Sequence, residues 1–340
     1  MDNKIEIVAK TVLEQGREIA EVNFDGADLP DDLEGLISAS DRSMSKGSLS
    51  FYFASKFLPK ESRPDIYLLY RWCRFSDDEI DHLPENSSAA LKQKKIDDLM
   101  NQTRMGYNGS NEVGDVFKGM GFVLRKHKIP PKYPLDLLQG MADDLSHSVP
   151  ETIDGLLDYC YKVAGTVGLM FAHIVGVKNE EALLHACQLG IAMQISNICR
   201  DVKEDAKMGR CYLPVDLLSR RQLSPPSVGL DASNEKLAVV VSELVELAES
   251  FYRESEKGIV ALPPQAGLAV LIARSVYSAI GKKVKSRGSK AWVKRIWIRT
   301  PFKVALAIKS VIRFLFIYPI NRPFYPSKIQ HEWRFQCQEL

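Results

Sequence analysis

The chain has 340 residues, a hydrophobic fraction of 45%, and 45 basic against 43 acidic residues. This length and apolar content allow a sizeable buried core, while the balanced charge excludes the overall basic field that favours nucleic acid, so we expect no nucleic-acid partner. The opening MDNKIEIVAK lacks the apolar stretch of a signal peptide, and the six cysteines form no C-x-x-C pair. We therefore expect a cytoplasmic protein with reduced thiols.

Apolar residues recur at helical spacing, and alternating strand patterns are hard to find, which predicts an all-α fold. Breaks rich in proline, glycine and asparagine separate the predicted helices. In chain order these cover residues 34–57, 65–82, 88–104, 113–127, 134–146, 153–175, 180–207, 234–261 and 265–286. No break is long enough to be a domain linker. We predict an N-terminal arm (1–33), one helical domain (34–288) and a basic, aromatic C-terminal tail (289–340).

The first notable motif is a pair of aspartates near the end of a predicted helix. In R-F-S-D-D-E-I-D, Asp77 and Asp81 are four residues apart and so lie on one helix face, with Asp78 beside them. Like charges placed in this way repel unless the face is fully solvated or a cation lies between them. The largely apolar residues before Ser76 indicate a core helix, which favours the cation.

A second pair of aspartates, Asp201 and Asp205, has the same spacing. Gln194 and Asn197 precede it on the same helix face, and buried amides need partners. Two such faces opposed across a bundle would form a cage of hard oxygen donors that suits Mg²⁺ or Mn²⁺. These ions also prefer phosphate oxygens, so the pattern predicts a polyphosphate substrate.

Arginines lie close to both acidic pairs. Arg74 precedes the first pair, and Arg200 and Arg210 flank the second. Arginine suits bidentate contact with phosphate. Ordinary ion pairing within a helix, for example Arg74 with Asp77 or Asp78, is an equally valid interpretation, and both contacts are compatible.

Four longer stretches carry a family resemblance. They are S-L-S-F from Ser48, L-Y-R-W-C-R-F-S-D-D-E-I-D from Leu69, D-Y-C-Y-K-V-A-G-T-V-G-L-M from Asp158 and Q-I-S-N-I-C-R-D-V-K-E-D-A-K-M-G-R-C-Y-L-P from Gln194. Together they resemble the squalene and phytoene synthases, most closely the bacterial phytoene synthases, over about residues 44–335. The resemblance implies a single-domain isoprenoid synthase bundle with a central active-site cavity.

The resemblance also implies roles for individual residues. A Mg²⁺ or Mn²⁺ cluster would be held by Asp77, Asp78, Asp81, Asn197, Asp201 and Asp205. Diphosphate contacts are implied for Ser48, Ser50, Arg74, Gln194, Arg200, Arg210 and Tyr212. Tyr159 takes the position of an active-site tyrosine, and Tyr277 that of an aromatic residue near the second diphosphate. The candidate catalytic residues are therefore Asp77, Asp81, Asp201, Asp205, Tyr159, Arg74 and Arg200.

The implied activity is that of a 15-cis-phytoene synthase, the first step of carotenoid biosynthesis. Two geranylgeranyl diphosphates would be joined head to head through a cyclopropyl diphosphate, with metal ions and arginines neutralising the leaving group and no need for NADPH. Allylic cations require apolar walls with aromatic faces. Candidates for that wall are Phe51, Phe53, Tyr159, Met170, Phe171 and Met193, although ordinary core packing is the more common role of any single such residue.

Three alternatives remain open. The same fold could make a C30 product, squalene or dehydrosqualene, from farnesyl diphosphate, because chain length depends on a cavity depth that sequence does not measure. Gly47, which stands where some dehydrosqualene-forming relatives carry histidine, removes one diphosphate contact. A non-catalytic assembly factor of the same fold would have no use for repelling aspartates. A terpene cyclase fits the paired R-x-x-D-D and R-D-x-x-x-D motifs less well.

The C-terminal region has the composition of an interfacial helix. Between residues 290 and 318 it mixes aromatic with basic side chains: Trp292, Trp297, Phe302, Phe314 and Phe316 with Lys294, Arg295, Arg299, Lys303, Lys309 and Arg313. We expect peripheral attachment to the inner face of the cell membrane, and contacts with neighbouring carotenoid enzymes. The alternative is a helix docked on the body of the enzyme itself.

Overall fold

The computed structural model describes residues 33–47, 49–84, 87–146, 148–225, 228 and 235–321, and these contain helices and turns but no strand, confirming the all-α prediction. The helices are α1 (Leu33–Gly47), α2 (Leu49–Ser55), α3 (Arg63–Asp81), α4 (Ala89–Tyr107), α5 (Asp115–Lys126), α6 (Lys132–Leu145), α7 (Ile153–Cys160), α8 (Thr166–Ile174), α9 (Glu180–Lys207), α10 (Val215–Ser219), α11 (Glu235–Glu256), α12 (Pro264–Arg287) and α13 (Thr300–Asn321). A π-helical turn, Tyr161–Gly165, joins α7 to α8, and a 3₁₀ turn, Lys257–Ala261, follows α11.

Most predicted helices are present, with four differences. The predicted helix 153–175 is divided into α7 and α8 by the π-helical turn. The predicted helix 34–57 is two helices, α1 and α2, and the predicted helix 234–261 ends in the 3₁₀ turn. The short α10 was not predicted. Its five residues are too few to show a helical period.

The central helix of the bundle is α9, which packs against α8, α11, α12 and the π-helical turn. Its first turn is capped by Asn179, whose side chain accepts a hydrogen bond of 3.0 Å from the backbone N–H of Ala182. Among the described helices, only α9 is long and apolar enough to cross a membrane by length and composition. Its packing between other helices accounts for that composition.

Contact between α8 and α9 depends on Gly168. A Cβ at this position would lie 2.3 Å from the carbonyl oxygen of Ala186 on α9, far inside van der Waals contact. Only glycine therefore permits the observed approach of the two backbones. This close packing fixes α8 beside the half of α9 that leads to the second acidic motif.

The acidic end of α3 is fixed by burial of the opposite helix face. Leu68 and Trp72 are almost fully buried on that opposite face, and α3 packs against α1, α5 and α6. At its first turn, the buried Asp65 accepts hydrogen bonds of 2.8 Å from Lys126 and 2.7 Å from a ring nitrogen of His127. With that face committed to the core, the Asp77 and Asp81 face is left for the cleft.

The segment before α13 belongs to the body of the protein. Trp292 is only 3% exposed, and its indole N–H donates a 3.0 Å hydrogen bond to the carbonyl oxygen of Cys199 on α9. Ile296 is equally buried. The assignment of Trp292 to an interfacial surface was therefore wrong, because a tertiary contact 93 positions away in sequence buries it.

α13 docks on the body through one face and exposes the other. Its inner face packs on α12, where the Ser310 and Ser275 hydroxyls lie 3.0 Å apart, and the Tyr318 hydroxyl donates a 2.7 Å hydrogen bond to the carbonyl oxygen of Leu262. Its outer face is strongly apolar, with Ile308, Ile312, Leu315, Phe316 and Ile320 all more than half exposed.

Candidate active site

An apolar cavity of about 320 Å³ lies between α2, α3, α8, α9, α12 and the 3₁₀ turn. This confirms the predicted central cavity. At one end it is lined by Cys73 on α3 and Asn197 on α9. Because these residues lie one helical turn before Asp77 and Asp201, this end of the cavity meets both acidic motifs.

The two acidic motifs face each other across the cleft. Arg210, just after α9, joins them directly: its Nη2 lies 2.8 Å from Oδ1 of Asp81 at the end of α3. The arginine is largely buried, whereas Asp81 is partly exposed. The predicted opposition of the motifs is thus confirmed by a contact that spans 129 positions in sequence.

In the first motif, Arg74 forms both of the predicted intrahelical ion pairs. Its Nη1 lies 3.2 Å from Oδ2 of Asp77, and its Nη2 lies 2.5 Å from Oδ1 of Asp78. These side chains are 38–46% exposed, so solvent screens the ion pairs and they contribute little stability. Enclosure in the cleft, and then the neighbouring Asp81 carboxylate, raise the pKa of Asp77 to about 6.

In the second motif, two arginines hold Asp201. Arg200 Nε donates to its Oδ1 at 2.7 Å, while Arg295 Nε and Nη2 donate to Oδ1 and Oδ2, both at 3.0 Å. Burial alone would raise the pKa of Asp201, but these guanidinium groups outweigh it and hold the pKa below its usual range. Arg295 was assigned to the tail by its local composition, so sequence reasoning missed this contact.

Among the residues that the structure describes, Asp205 has no arginine hydrogen bonds like those of Asp201 to offset the effect of burial on its pKa. Burial, and then the negative charge of Asp201, raise the pKa of Asp205 to about 7. Asp77 and Asp205 therefore share a surplus of negative charge on opposite sides of the cleft. A site of this kind is stabilised when a cation enters it.

Five of the predicted substrate and wall residues line the cavity. Gln194, Asn197 and Tyr277 line it, and the Asn197 side-chain Nδ2 donates a 3.4 Å hydrogen bond to Oε1 of Gln194. Phe171 and Met193 also line the cavity.

Two other predicted wall residues pack elsewhere. Met170 is fully buried in the core cluster, and Phe53 packs edge-to-face against Phe57 with ring centroids 5.8 Å apart. Ser48, the side chains of Ser50 and Phe51, and the predicted arm and tail segments at 1–32 and 322–340 lie outside the described residues.

Tyr159 and Tyr212 form a stacked pair beside the cleft, with ring centroids 4.8 Å apart. Both hydroxyls donate to Asp144 at the end of α6, Tyr212 at 2.7 Å and Tyr159 at 3.2 Å. Asp144 was not among the predicted site residues. Its only sequence signal was a position in the apolar, helical run L-L-Q-G-M-A-D-D-L, where two adjacent aspartates suggest little more than a helix end.

The donor set fits a hydrated divalent cation that also binds a phosphate ligand. Within the described part of the chain, no three carboxylate, imidazole or thiolate groups converge closely enough to hold one ion by themselves. Mg²⁺ usually keeps several waters and takes one or two protein carboxylates together with substrate phosphates. The facing carboxylates, with the raised pKa values of Asp77 and Asp205, offer hard oxygen donors of that kind.

A helical bundle whose apolar cavity ends between two opposed acidic motifs, each with its arginines, defines the class of isoprenoid synthases. The model of the squalene/phytoene synthase family matches residues 44–303. A phytoene synthase from Pseudescherichia vulneris is 37% identical over 280 residues, covering 81% of this chain and 91% of the relative. A 15-cis-phytoene synthase from Pantoea ananas is 36% identical over 280 residues, again covering 81% of this chain and 91% of the relative. The chain therefore belongs to the squalene and phytoene synthase family.

Solved structures show the same fold. A crystal structure of a dehydrosqualene synthase in complex with a ligand has a TM-score of 0.76 at 26% identity, covering 84% of this chain and 98% of that one. A squalene synthase from Alicyclobacillus acidocaldarius has a TM-score of 0.69 at 22% identity. The similarity extends over nearly the whole length of both relatives.

Proposed function

We propose that the protein is a 15-cis-phytoene synthase, which condenses two geranylgeranyl diphosphates head to head to give phytoene. The observation that carries this proposal is the apolar cavity that ends between the two acidic motifs. It provides a dry compartment for prenyl chains directly beside a site for diphosphate. The bacterial relatives at 36–37% identity are phytoene synthases by name.

In the proposed reaction, the polar residues of the cleft would bind the diphosphates and the apolar cavity would bind the prenyl chains. Asp77, Asp78, Asp81, Asn197, Asp201 and Asp205 would hold Mg²⁺ or Mn²⁺. Ions held there would supply positive charge to a departing diphosphate. Arg74, Arg200 and Arg210 add fixed positive charge at the same cleft, where it needs no reorganisation. Phe171 and Met193 present walls that do not quench an allylic cation. The reaction ends with loss of a proton, so it requires no NADPH.

The C30 reaction from farnesyl diphosphate is the second candidate, because a dehydrosqualene synthase shares the fold. The two reactions use the same cleft and differ in the length of chain that the cavity accepts. A direct product analysis separates them.

The test is incubation of purified protein with geranylgeranyl or farnesyl diphosphate, Mg²⁺ or Mn²⁺, and with or without NADPH. The hydrocarbon is then extracted for mass analysis. We expect a C40 product without NADPH. A C30 product would replace the proposal with its rival, and no product in any combination would favour a non-catalytic relative. In the same assay Asp77→Asn, which removes a proposed metal ligand, should form no hydrocarbon. Glu79→Gln is its matched control and should stay active, because Glu79 lies in the same motif but pairs with Lys95 on α4.

We also propose that the protein works at a membrane surface, which it contacts through the outer face of α13. Leu315 and Phe316 are 65% and 66% exposed, and Ile308, Ile312 and Ile320 extend the same apolar face. Residues 290–321 contain seven basic and no acidic side chains. An apolar helix face with basic flanks fits an anionic lipid surface.

Flotation with liposomes tests this proposal. We expect the protein to float with vesicles containing phosphatidylglycerol, less with pure phosphatidylcholine, and less at high salt because the basic residues are screened. Leu315→Ser with Phe316→Ser should abolish flotation. Val239→Ser on α11 is the control, since Val239 is also exposed but lies on another helix. Unchanged flotation of the double variant would contradict the assignment to α13.

A further inference from the structure

Asp144 is a half-buried carboxylate between the two acidic motifs. Its negative charge contributes to the raised pKa values of both Asp77 and Asp205, and the guanidinium of Arg210 attracts it. It therefore lies within electrostatic reach of both sides of the cleft. A further negative charge in an acidic site is repelled by its neighbours, so Asp144 needs a role that offsets this cost.

Each oxygen of Asp144 accepts a hydrogen bond from one phenol. The Tyr212 hydroxyl donates to Oδ1 at 2.7 Å, and the Tyr159 hydroxyl donates to Oδ2 at 3.2 Å. Burial raises the pKa of both phenols, so they remain protonated donors at neutral pH. Asp144 thus differs from Asp77, Asp81 and Asp201, whose partners are arginines.

The backbone around Asp144 is built to hold this arrangement. A Cβ on Gly140, one turn earlier on α6, would lie 2.7 Å from side-chain atoms of both Lys162 and Val163 in the π-helical turn. The close approach that glycine permits brings α6 against the chain just after Tyr159. The adjacent Asp143 points away from the tyrosine pair and forms a 3.0 Å ion pair with Lys162.

We propose that Asp144 is a positioning residue for the reaction proposed above, fixing the stacked rings of Tyr159 and Tyr212 and directing their hydroxyl protons away from the substrate. A phenol whose proton is engaged by a carboxylate presents only oxygen lone pairs and its ring face to the cleft. Hydrogen bonding to an anion also makes the phenol more electron-rich. Both effects favour contact with an allylic cation over proton donation to the departing diphosphate.

Asp144→Asn tests the proposal because it preserves shape but replaces one acceptor oxygen by a donor amide. One phenol then loses its acceptor and turns its proton elsewhere. We expect kcat to fall about 100-fold, the scale typical of lost positioning, while KM for the prenyl diphosphate and the Kd for Mn²⁺ change little. Asp143→Asn is the matched control, since its partner Lys162 lies outside the cleft, and should retain kcat.

A double-mutant cycle with Tyr159→Phe distinguishes positioning from a general structural role. If Asp144 acts through the phenols, Asp144→Asn should lower kcat much less in the Tyr159→Phe background than in the native protein. Near-ultraviolet circular dichroism of the tyrosine pair should change in Asp144→Asn and stay native in Asp143→Asn. Additive effects on kcat, loss of Mn²⁺ binding, or full activity of Asp144→Asn would each overturn the proposal.

A second variant and a measurement without substrate complete the test. If Asp144→Asn fails to fold, Tyr159→Phe with Tyr212→Phe removes the same two hydrogen bonds and should reproduce the loss of kcat; native kcat there would refute the proposal. The circular dichroism signal needs no substrate. A native protein that forms no hydrocarbon would therefore refute the proposed function, whereas an unchanged signal in Asp144→Asn would refute the positioning role alone.

Discussion

Binding of Mn²⁺ to the metal-free protein should weaken sharply as the pH falls from 8 to 6, because a metal ligand must be deprotonated. Enclosure in the cleft, followed by neighbouring negative charge, raises the pKa of Asp77 to about 6 and that of Asp205 to about 7. Proton competition at independent sites then weakens binding about 2-fold through Asp77 and about 10-fold through Asp205 over this interval. Multiplied together, the two factors increase the apparent Kd for Mn²⁺ about 20-fold.

Electron paramagnetic resonance of free Mn²⁺, at constant ionic strength and without diphosphate, measures this Kd directly. In Asp205→Asn the remaining pH dependence should be about 2-fold, and in Asp77→Asn about 10-fold, since each variant removes one titrating ligand. Equal affinity at both pH values in the native protein would refute the reasoning. So would the full native pH dependence in Asp205→Asn.

Three further outcomes are expected. Asp77→Ala and Asp201→Asn should abolish hydrocarbon formation while circular dichroism still shows a native helical fold, because each removes a metal ligand rather than core packing; activity in either would contradict the assigned site. Trp292→Ala should lower the free energy of unfolding in urea by about 3–5 kcal/mol, as for other buried aromatic residues, against less than about 0.5 kcal/mol for the exposed Trp297→Ala; equal effects would show that this segment is not part of the body. Gly168→Ala should cost about 1–3 kcal/mol by forcing α8 away from α9, and a native urea midpoint would contradict that close approach.

The parts of the site that follow from local spacing were predictable from sequence. Asp77 with Asp81, and Asp201 with Asp205, are each set on one face by the helical period alone. Spacing left the mutual approach of the two faces open, and the family resemblance implied it. The fold class followed from the same periodicity over longer segments.

Most of the contacts that were missed join distant parts of the chain. Arg295 reaches Asp201 from 94 positions away, and Tyr212 reaches Asp144 across 68. Neither pair has a spacing that marks it in one sequence. Composition also misled at Trp292, because a tryptophan among basic residues suits an interface as well as a core, and only the partner decides.

Four arginines hold the aspartates of the two motifs in this structure: Arg74, Arg200, Arg210 and Arg295 pair with Asp77, Asp78, Asp81 and Asp201. Under the proposed function these partners would exchange, the carboxylates turning to divalent cations and the guanidinium groups to diphosphate oxygens. For the pair of Arg200 with Asp201, in which both side chains are largely buried, leaving one partner unpaired would be strongly destabilising. An exchange avoids that cost, because every charge has a counterion before and after loading. Asp205 has no arginine at hydrogen-bonding distance among the described residues, and its raised pKa identifies it as the carboxylate that gains most from a cation.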